Sequence, residues 1–239
     1  MTILRSALFN VVFFAATFLL ALYGTVLRFV APRRVLPLAR FWARLITASA
    51  RVICGIRLQV SGKLPTGAAL IASKHESAFD TLIWLTLVPD ACYVLKHELL
   101  RIPLFGTLIR KARMIAIDRS GGASSLRSLL RAGERAAREG RQIIIFPEGT
   151  RAEPGTVLPL QPGVAALAAR TGLPVIPVVT DSGRRWSRRA FRKQPGVIHI
   201  VLLPPIGPVS TRIELLSALE AAFRSDPETA ARLVDNSVG

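Results

Sequence analysis

The chain reads as an α/β domain behind an apolar N-terminal helix. Residues 6–27 carry no charged side chain, and from residue 58 onward short apolar runs alternate with stretches of helical periodicity. Its 239 residues, 51% of them hydrophobic, can fill one core and an appendage but not two full domains. With 32 Lys and Arg against 15 Asp and Glu, the net charge of +17 requires an anionic partner: nucleic acid, a lipid surface or a phosphorylated substrate.

The uncharged segment decides for the membrane, because crossing hydrocarbon takes about 20 apolar residues. It is longer than a signal-peptide core, and Tyr23-Gly24-Thr25 is followed by more apolar sequence and then arginines, so it is expected to be retained. Only Arg5 precedes it, whereas Arg28, Arg33, Arg34 and Arg40 follow, which places the remainder on the cytoplasmic side of the cell inner membrane. A shallow interfacial helix is the competing geometry. Residues 38–53 form a second expected helix, with Arg40, Arg44 and Arg51 among Phe41, Trp42 and Leu45. That mixture suits lipid headgroup depth, and it also suits packing on a soluble core. The division expected is residues 1–56 for membrane-anchoring helices and 57–239 for the α/β domain.

Strands are predicted at residues 58–60, 70–73, 91–95, 114–117, 142–146, 175–179 and 197–203. Between them, residues 124–139 predict a helix with Leu126, Leu129, Leu130 and Ala137 on one side, arginines on the other, and Gly140 to end it. Residues 161–171 predict another. In residues 212–224, Ile213, Leu216, Leu219 and Phe223 follow amphipathic spacing. Cys54 and Cys92, with neither CxxC spacing nor nearby histidines, read as buried thiols in a reducing compartment.

Chemistry concentrates in two turns. His75 and Asp80 are five residues apart, about 140° around an ideal helix, so they cannot share a helical face. His75 instead belongs to a strand-to-helix turn, where a carboxylate from the opening helical turn can fold back and fix the imidazole tautomer. That arrangement makes a general base aimed at a hydroxyl. The run Phe146-Pro147-Glu148-Gly149-Thr150-Arg151 follows another strand, so amides around Gly149 and the Arg151 guanidinium should leave the same sheet edge. Arg119, beside Asp118, ends a third strand; it can bind phosphate or pair with Asp118 or Glu148. Glu148 reads as a second acid or as a hydrogen-bond organiser.

With these two blocks, Lys96-His97-Glu98-Leu99 followed by Ile117-Asp118-Arg119, and then Val175-Ile176-Pro177-Val178-Val179, the chain resembles the glycerolipid acyltransferase family over residues 70–206. The resemblance implies a mixed sheet flanked by helices. It implies His75 and Asp80 as the catalytic pair, and a glycerol-phosphate site formed by Arg119, Glu148, Gly149, Thr150 and Arg151. Lys96 becomes a candidate contact to the donor or oxyanion, or a solvated lysine, and Pro174 and Pro177 either shape the acyl-binding region or belong to a buried strand. The implied reaction moves an acyl chain from acyl-CoA or acyl carrier protein to the sn-2 hydroxyl of 1-acyl-sn-glycerol-3-phosphate, giving phosphatidate for phospholipid biosynthesis. No cofactor beyond that co-substrate and no metal is expected.

Two departures from the family pattern matter. Lys74 stands where Asn is common before the histidine, and Gln161 stands where many members have Lys. They leave room for another acceptor, such as a lyso-ornithine lipid. The basic run Arg184, Arg185, Arg188, Arg189, Arg192 and Lys193 is assigned to a membrane or an acidic carrier protein and not to nucleic acid, because the chain carries an apolar anchor. A membrane-bound basic scaffold is the remote alternative. There is no Gly-x-Ser-x-Gly elbow, no Gly-x4-Gly-Lys phosphate loop, no His-Glu-x-x-His pair, and three His with two Cys support no metal cluster.

Overall fold

All seven predicted strands form. They are β1 (Ile56–Ser61), β2 (Ala69–Ser73), β3 (Ala91–Lys96), β4 (Ile115–Ile117), β5 (Gln142–Ile145), β6 (Val175–Thr180) and β7 (Gly196–Leu202). They join one sheet in the order β1-β7-β6-β2-β5-β3-β4. This computed structural model describes residues 1–118, 121–188, 190–207 and 211–237. Neighbours pair in parallel except β6 with β7, so the sheet is mixed, as expected. The parallel block β6-β2-β5-β3-β4 therefore opens all its carboxyl ends on one edge, where an α/β sheet places its ligands.

The helices are α1 (Thr2–Val30), α2 (Val35–Cys54), α3 (Phe79–Leu87), α4 (Phe105–Lys111), α5 (Gly122–Arg138), α6 (Gly163–Thr171), α7 (Ser182–Arg185), α8 (Arg212–Phe223) and α9 (Pro227–Ser237). Strand alternation separates two cores. Ala69, Ile71 and Ile144 face a cluster with Trp84 of α3, Phe9 of α1 and Ala43, Ile46 and Ala50 of α2. Leu70, Ala72, Ile143 and Ile145 face the other way, onto Leu129 of α5, Leu167 of α6 and Leu219 of α8. The two N-terminal helices thus share a core with the sheet.

Several boundaries move for local reasons. α2 begins before Pro37 and includes it, because proline is tolerated in a first helical turn, where its missing N–H would have no partner. It ends at Gly55, whose φ of +70° supplies the left-handed cap. In α8 Leu219 and Phe223 are buried and Leu216 is partly buried, as expected, but Leu215 is buried with them and Ile213 is 76% exposed. Thr211 and Glu214 form a capping box there, so the helix starts on polar chemistry and its packing begins a turn later. Helices α4, α7 and α9 were not expected from the sequence. Cys54 and Cys92 are both buried free thiols.

Candidate active site

The residues from the two chemical turns meet at the carboxyl edge of β2 and β5. His75 lies in the β2–α3 turn, and its Nδ1 is 3.2 Å from Asp80 Oδ2, in the first turn of α3. The same oxygen accepts from the Glu76 amide at 2.7 Å and the Ser77 amide at 2.8 Å. Two backbone donors hold the Asp80 carboxylate, which in turn holds the imidazole, leaving Nε2 as the nitrogen that can take a proton. The His75 ring stacks on Phe146 at 4.2 Å between centroids, which fixes its plane.

The β5 turn supplies the positive pole. Gly149 donates to the Phe146 carbonyl at 2.9 Å and adopts φ +71°, a conformation glycine takes without steric cost. The chain then passes back to β2, where the Ala152 amide donates to the His75 carbonyl at 2.7 Å. Arg151 lies against a cavity of about 890 Å³ that is also lined by His75, Gly149 and Thr150. Burial lowers the Arg151 pKa from its ordinary value; the Asp80 carboxylate opposes this, and Arg188 adds to it.

Glu148 turns the other way. It is buried, accepting from the His75 amide through Oε2 at 3.1 Å and from the Leu158 amide through Oε1 at 3.2 Å, and it does not line the cavity. Burial raises its pKa, against those two hydrogen bonds. It therefore ties the two chemical turns together, and the expected contact from its carboxylate to phosphate is not the arrangement found. Lys96 reaches the cavity from the end of β3 with its side chain exposed. Arg119 lies outside the described residues; its neighbour Asp118 lines the cavity.

Away from His75 the cavity becomes apolar. Leu20 and Ala21 of α1, Trp42 of α2, Leu95 of β3, Leu108 of α4 and Leu126 of α5 are among its walls. Trp42 Nε1 donates to Thr17 Oγ1 at 3.0 Å, joining the two N-terminal helices within that wall. Its volume lies within the range of ligand pockets, and its gradient from charge to hydrocarbon suits an amphiphile. Neither Pro174, exposed just before β6, nor Pro177, buried within it, lines this cavity.

The sequence pattern of the family described as Acyltransferase matches residues 56–181, from the first residue of β1 to the end of β6 and Asp181. A 1-acyl-sn-glycerol-3-phosphate acyltransferase from Pseudomonas aeruginosa is 35% identical over 84% of this chain and 80% of that protein. The chain belongs to the acyltransferase family. A further 1-acyl-sn-glycerol-3-phosphate acyltransferase, from Limnanthes douglasii, is 34% identical over 64% of this chain and 56% of its own length. The fold is shared with the crystal structure of the 1-acyl-sn-glycerophosphate acyltransferase PlsC from Thermotoga maritima, at a TM-score of 0.73 and 23% identity, covering 100% of this chain and 98% of that one.

In this acyltransferase the basic run does something its composition did not reveal. Arg188 lines the cavity and donates from Nη1 to the Arg151 carbonyl at 3.1 Å, placing a further guanidinium at the mouth. Arg185 is spent on the Val197 and Pro195 carbonyls. Lys193 is buried under α1, its Nζ 3.1 Å from Asn10 Oδ1 and 5.2 Å from the Trp186 ring centroid. The run is therefore partly a clamp for α1. Lys74 also departs from expectation: it is buried, paired with Glu76 at 3.2 Å, and does not line the main cavity. Gln161 does line it.

Proposed function

We propose that the chain transfers an acyl group from acyl-CoA or acyl carrier protein to the sn-2 hydroxyl of 1-acyl-sn-glycerol-3-phosphate, giving phosphatidate. The observation that carries this reading is one cavity with a His–Asp pair and arginines at its polar end and hydrocarbon-lining side chains leading back to α1. His75 Nε2 takes the hydroxyl proton as the oxygen attacks the thioester carbonyl. Asp80 keeps the Nδ1 proton in place and stabilises the imidazolium. The tetrahedral intermediate expels the thiolate, which takes its proton from the imidazolium, so no covalent enzyme intermediate is needed. Arg151, Arg188 and Arg119 bind the phosphate, Gly149 and Thr150 shape the loop that presents Arg151, and Lys96 lies on the side open to the donor. General-base help supplies about 10²- to 10⁴-fold, and positioning must supply much of the rest.

The lipid substrate enters from the bilayer that α1 occupies, with the α/β domain on the cytoplasmic face of the inner membrane; Arg28, Arg33, Arg34 and Arg40 support that orientation. Gln161 in the cavity wall favours one second reading, a lysolipid acceptor without this headgroup, such as a lyso-ornithine lipid. The test measures turnover of detergent-solubilised protein and its His75→Ala variant on both acceptors, with acyl-CoA and acyl carrier protein donors. Lysophosphatidate turnover that falls at least about a hundredfold in the variant supports the main reading. Turnover confined to the ornithine lipid selects the second, and none with any pair rejects both.

A further inference from the structure

Lys74 and Glu76 flank His75, both are at least 95% buried, and the reaction above uses neither. They line a small polar cavity of about 240 Å³ behind the turn instead of the substrate cavity. Glu76 Oε1 lies 3.2 Å from Lys74 Nζ, and Oε2 accepts from the Gly183 amide at 3.2 Å. The Glu76 amide meanwhile donates to Asp80 Oδ2 at 2.7 Å. One residue thus grips Asp80 with its backbone and anchors the turn to the β6–α7 junction with its side chain. Position 183 must be glycine for this: a Cβ there would stand 3.0 Å from Glu76 Oε2 and 2.8 Å from Pro154 Cγ.

A buried ion pair contributes little stability over an apolar pair of the same size, so its presence beside His75 calls for another role. We propose that Glu76 is a positioning residue for acyl transfer: held by Lys74 and the Gly183 amide, its carboxylate fixes the turn whose amides orient Asp80, and through Asp80 the imidazole of His75. The inference rests on the acyl-transfer reading above.

The surroundings make this brace responsive to protons. Burial raises the Glu76 pKa to about 7; Lys74 opposes the rise and Asp80 adds to it. Arg184, Asp181, Arg224 and Asp226 also face the small cavity. Glu76 is ionised above that value and takes a proton below it, which removes the partner charge of a buried Lys74. Activity then needs two groups without protons, His75 as base and Glu76 as brace.

The experiment records kcat against pH for the full chain, for Glu76→Gln and for Glu76→Ala, and follows the low-field proton resonance of the His75 Nδ1–H···Asp80 hydrogen bond, assigned with His75→Ala. We expect the acid limb of log kcat to be steeper in the natural chain than in Glu76→Gln, which lacks the titrating carboxylate. Glu76→Ala should lower plateau kcat at least about tenfold, with KM for lysophosphatidate within about twofold, and should broaden or abolish the resonance. An acid limb equally steep in both removes the proton response, and a Glu76→Ala plateau within twofold overturns the proposal. The resonance decides if lysophosphatidate is not turned over at all: that result rejects the acceptor, while an unchanged signal in Glu76→Ala rejects the brace and a lost one supports it.

Discussion

Asp80 has one oxygen with three donors on it, and that geometry dictates what its amide analogue should do. In Asp80→Asn the side-chain oxygen can keep the Oδ2 position and still accept from the Glu76 and Ser77 amides and from His75 Nδ1–H, with the NH₂ in place of Oδ1. The tautomer is then kept, but the negative charge that stabilises the imidazolium formed during the reaction is lost. We expect kcat to fall by about 10²- to 10⁴-fold with little change in KM for the lysolipid, measured by steady-state turnover. Arg151→Ala should show the opposite pattern, raising KM for a phosphate-bearing acceptor at least about tenfold, because a guanidinium at the cavity mouth acts on bound substrate before chemistry. Glu76 carries a stability prediction whose sign follows from its raised pKa. Below about 4.5 both folded and unfolded states hold the proton; between there and about 7 only the unfolded state releases it, so the folded state loses stability as pH rises. The natural chain minus Glu76→Gln should therefore lose on the order of 3 kcal/mol between pH 4.5 and pH 7.5, read from paired unfolding curves.

At the scale of elements, the attachment of α1 depends on a loop far along the chain. Ser6 Oγ accepts from the Lys193 amide at 2.9 Å, Asn10 Oδ1 accepts from its ammonium, and Phe9 packs edge-on to Trp186 at 5.1 Å. Lys193→Met keeps the aliphatic stem and removes the charge, leaving Asn10 and the Ala190 and Phe191 carbonyls without that donor. A loss of about 1–3 kcal/mol is expected, seen as a lower thermal midpoint in detergent. No local pattern announces such a clamp, since a lysine in an arginine-rich run looks solvated until tertiary structure covers it. The strands were legible for the opposite reason: β2, β5 and β6 are fully buried, so their apolar runs stand out without reference to anything distant. His75 and Asp80 were legible because their partnership spans five residues and one turn. Arg188 was not, because its bond to Arg151 joins positions 37 residues apart. Glu148 is the hydrogen-bond organiser its position allowed and not the phosphate contact the resemblance implied, because backbone direction after a strand does not say which side chains turn inward.

For the molecule as a whole, the question is how a soluble α/β edge reaches a lipid. α1 is, among the described residues, the one helix long and apolar enough to cross a membrane, and only 11% of its most apolar window is buried within the protein. One side of it serves the cavity through Thr17, Leu20 and Ala21, while Phe14, Phe18 and Leu22 remain exposed. A helix that is apolar on both sides, with only one covered by protein, needs a second apolar phase for the other. A bilayer would supply that phase, and under the proposed reaction the shared cavity wall would make α1 part of the substrate path. Replacing exposed anchor residues should thus separate membrane binding from folding. Each lysine placed in hydrocarbon costs about 2.5–3.5 kcal/mol, so Phe14→Lys with Phe18→Lys should oppose insertion by about 5–7 kcal/mol. Because both side chains point away from the core, the double variant should keep its fold, checked by circular dichroism, and should shift from the floating to the soluble fraction in vesicle flotation. If acyl transfer draws its acceptor laterally from the bilayer, that variant should lose turnover on vesicle-embedded lysophosphatidate at least about tenfold while retaining turnover on the same lipid in mixed micelles. Equal turnover in both assays would mean that the cavity fills from water, and that α1 serves as a wall without delivering substrate.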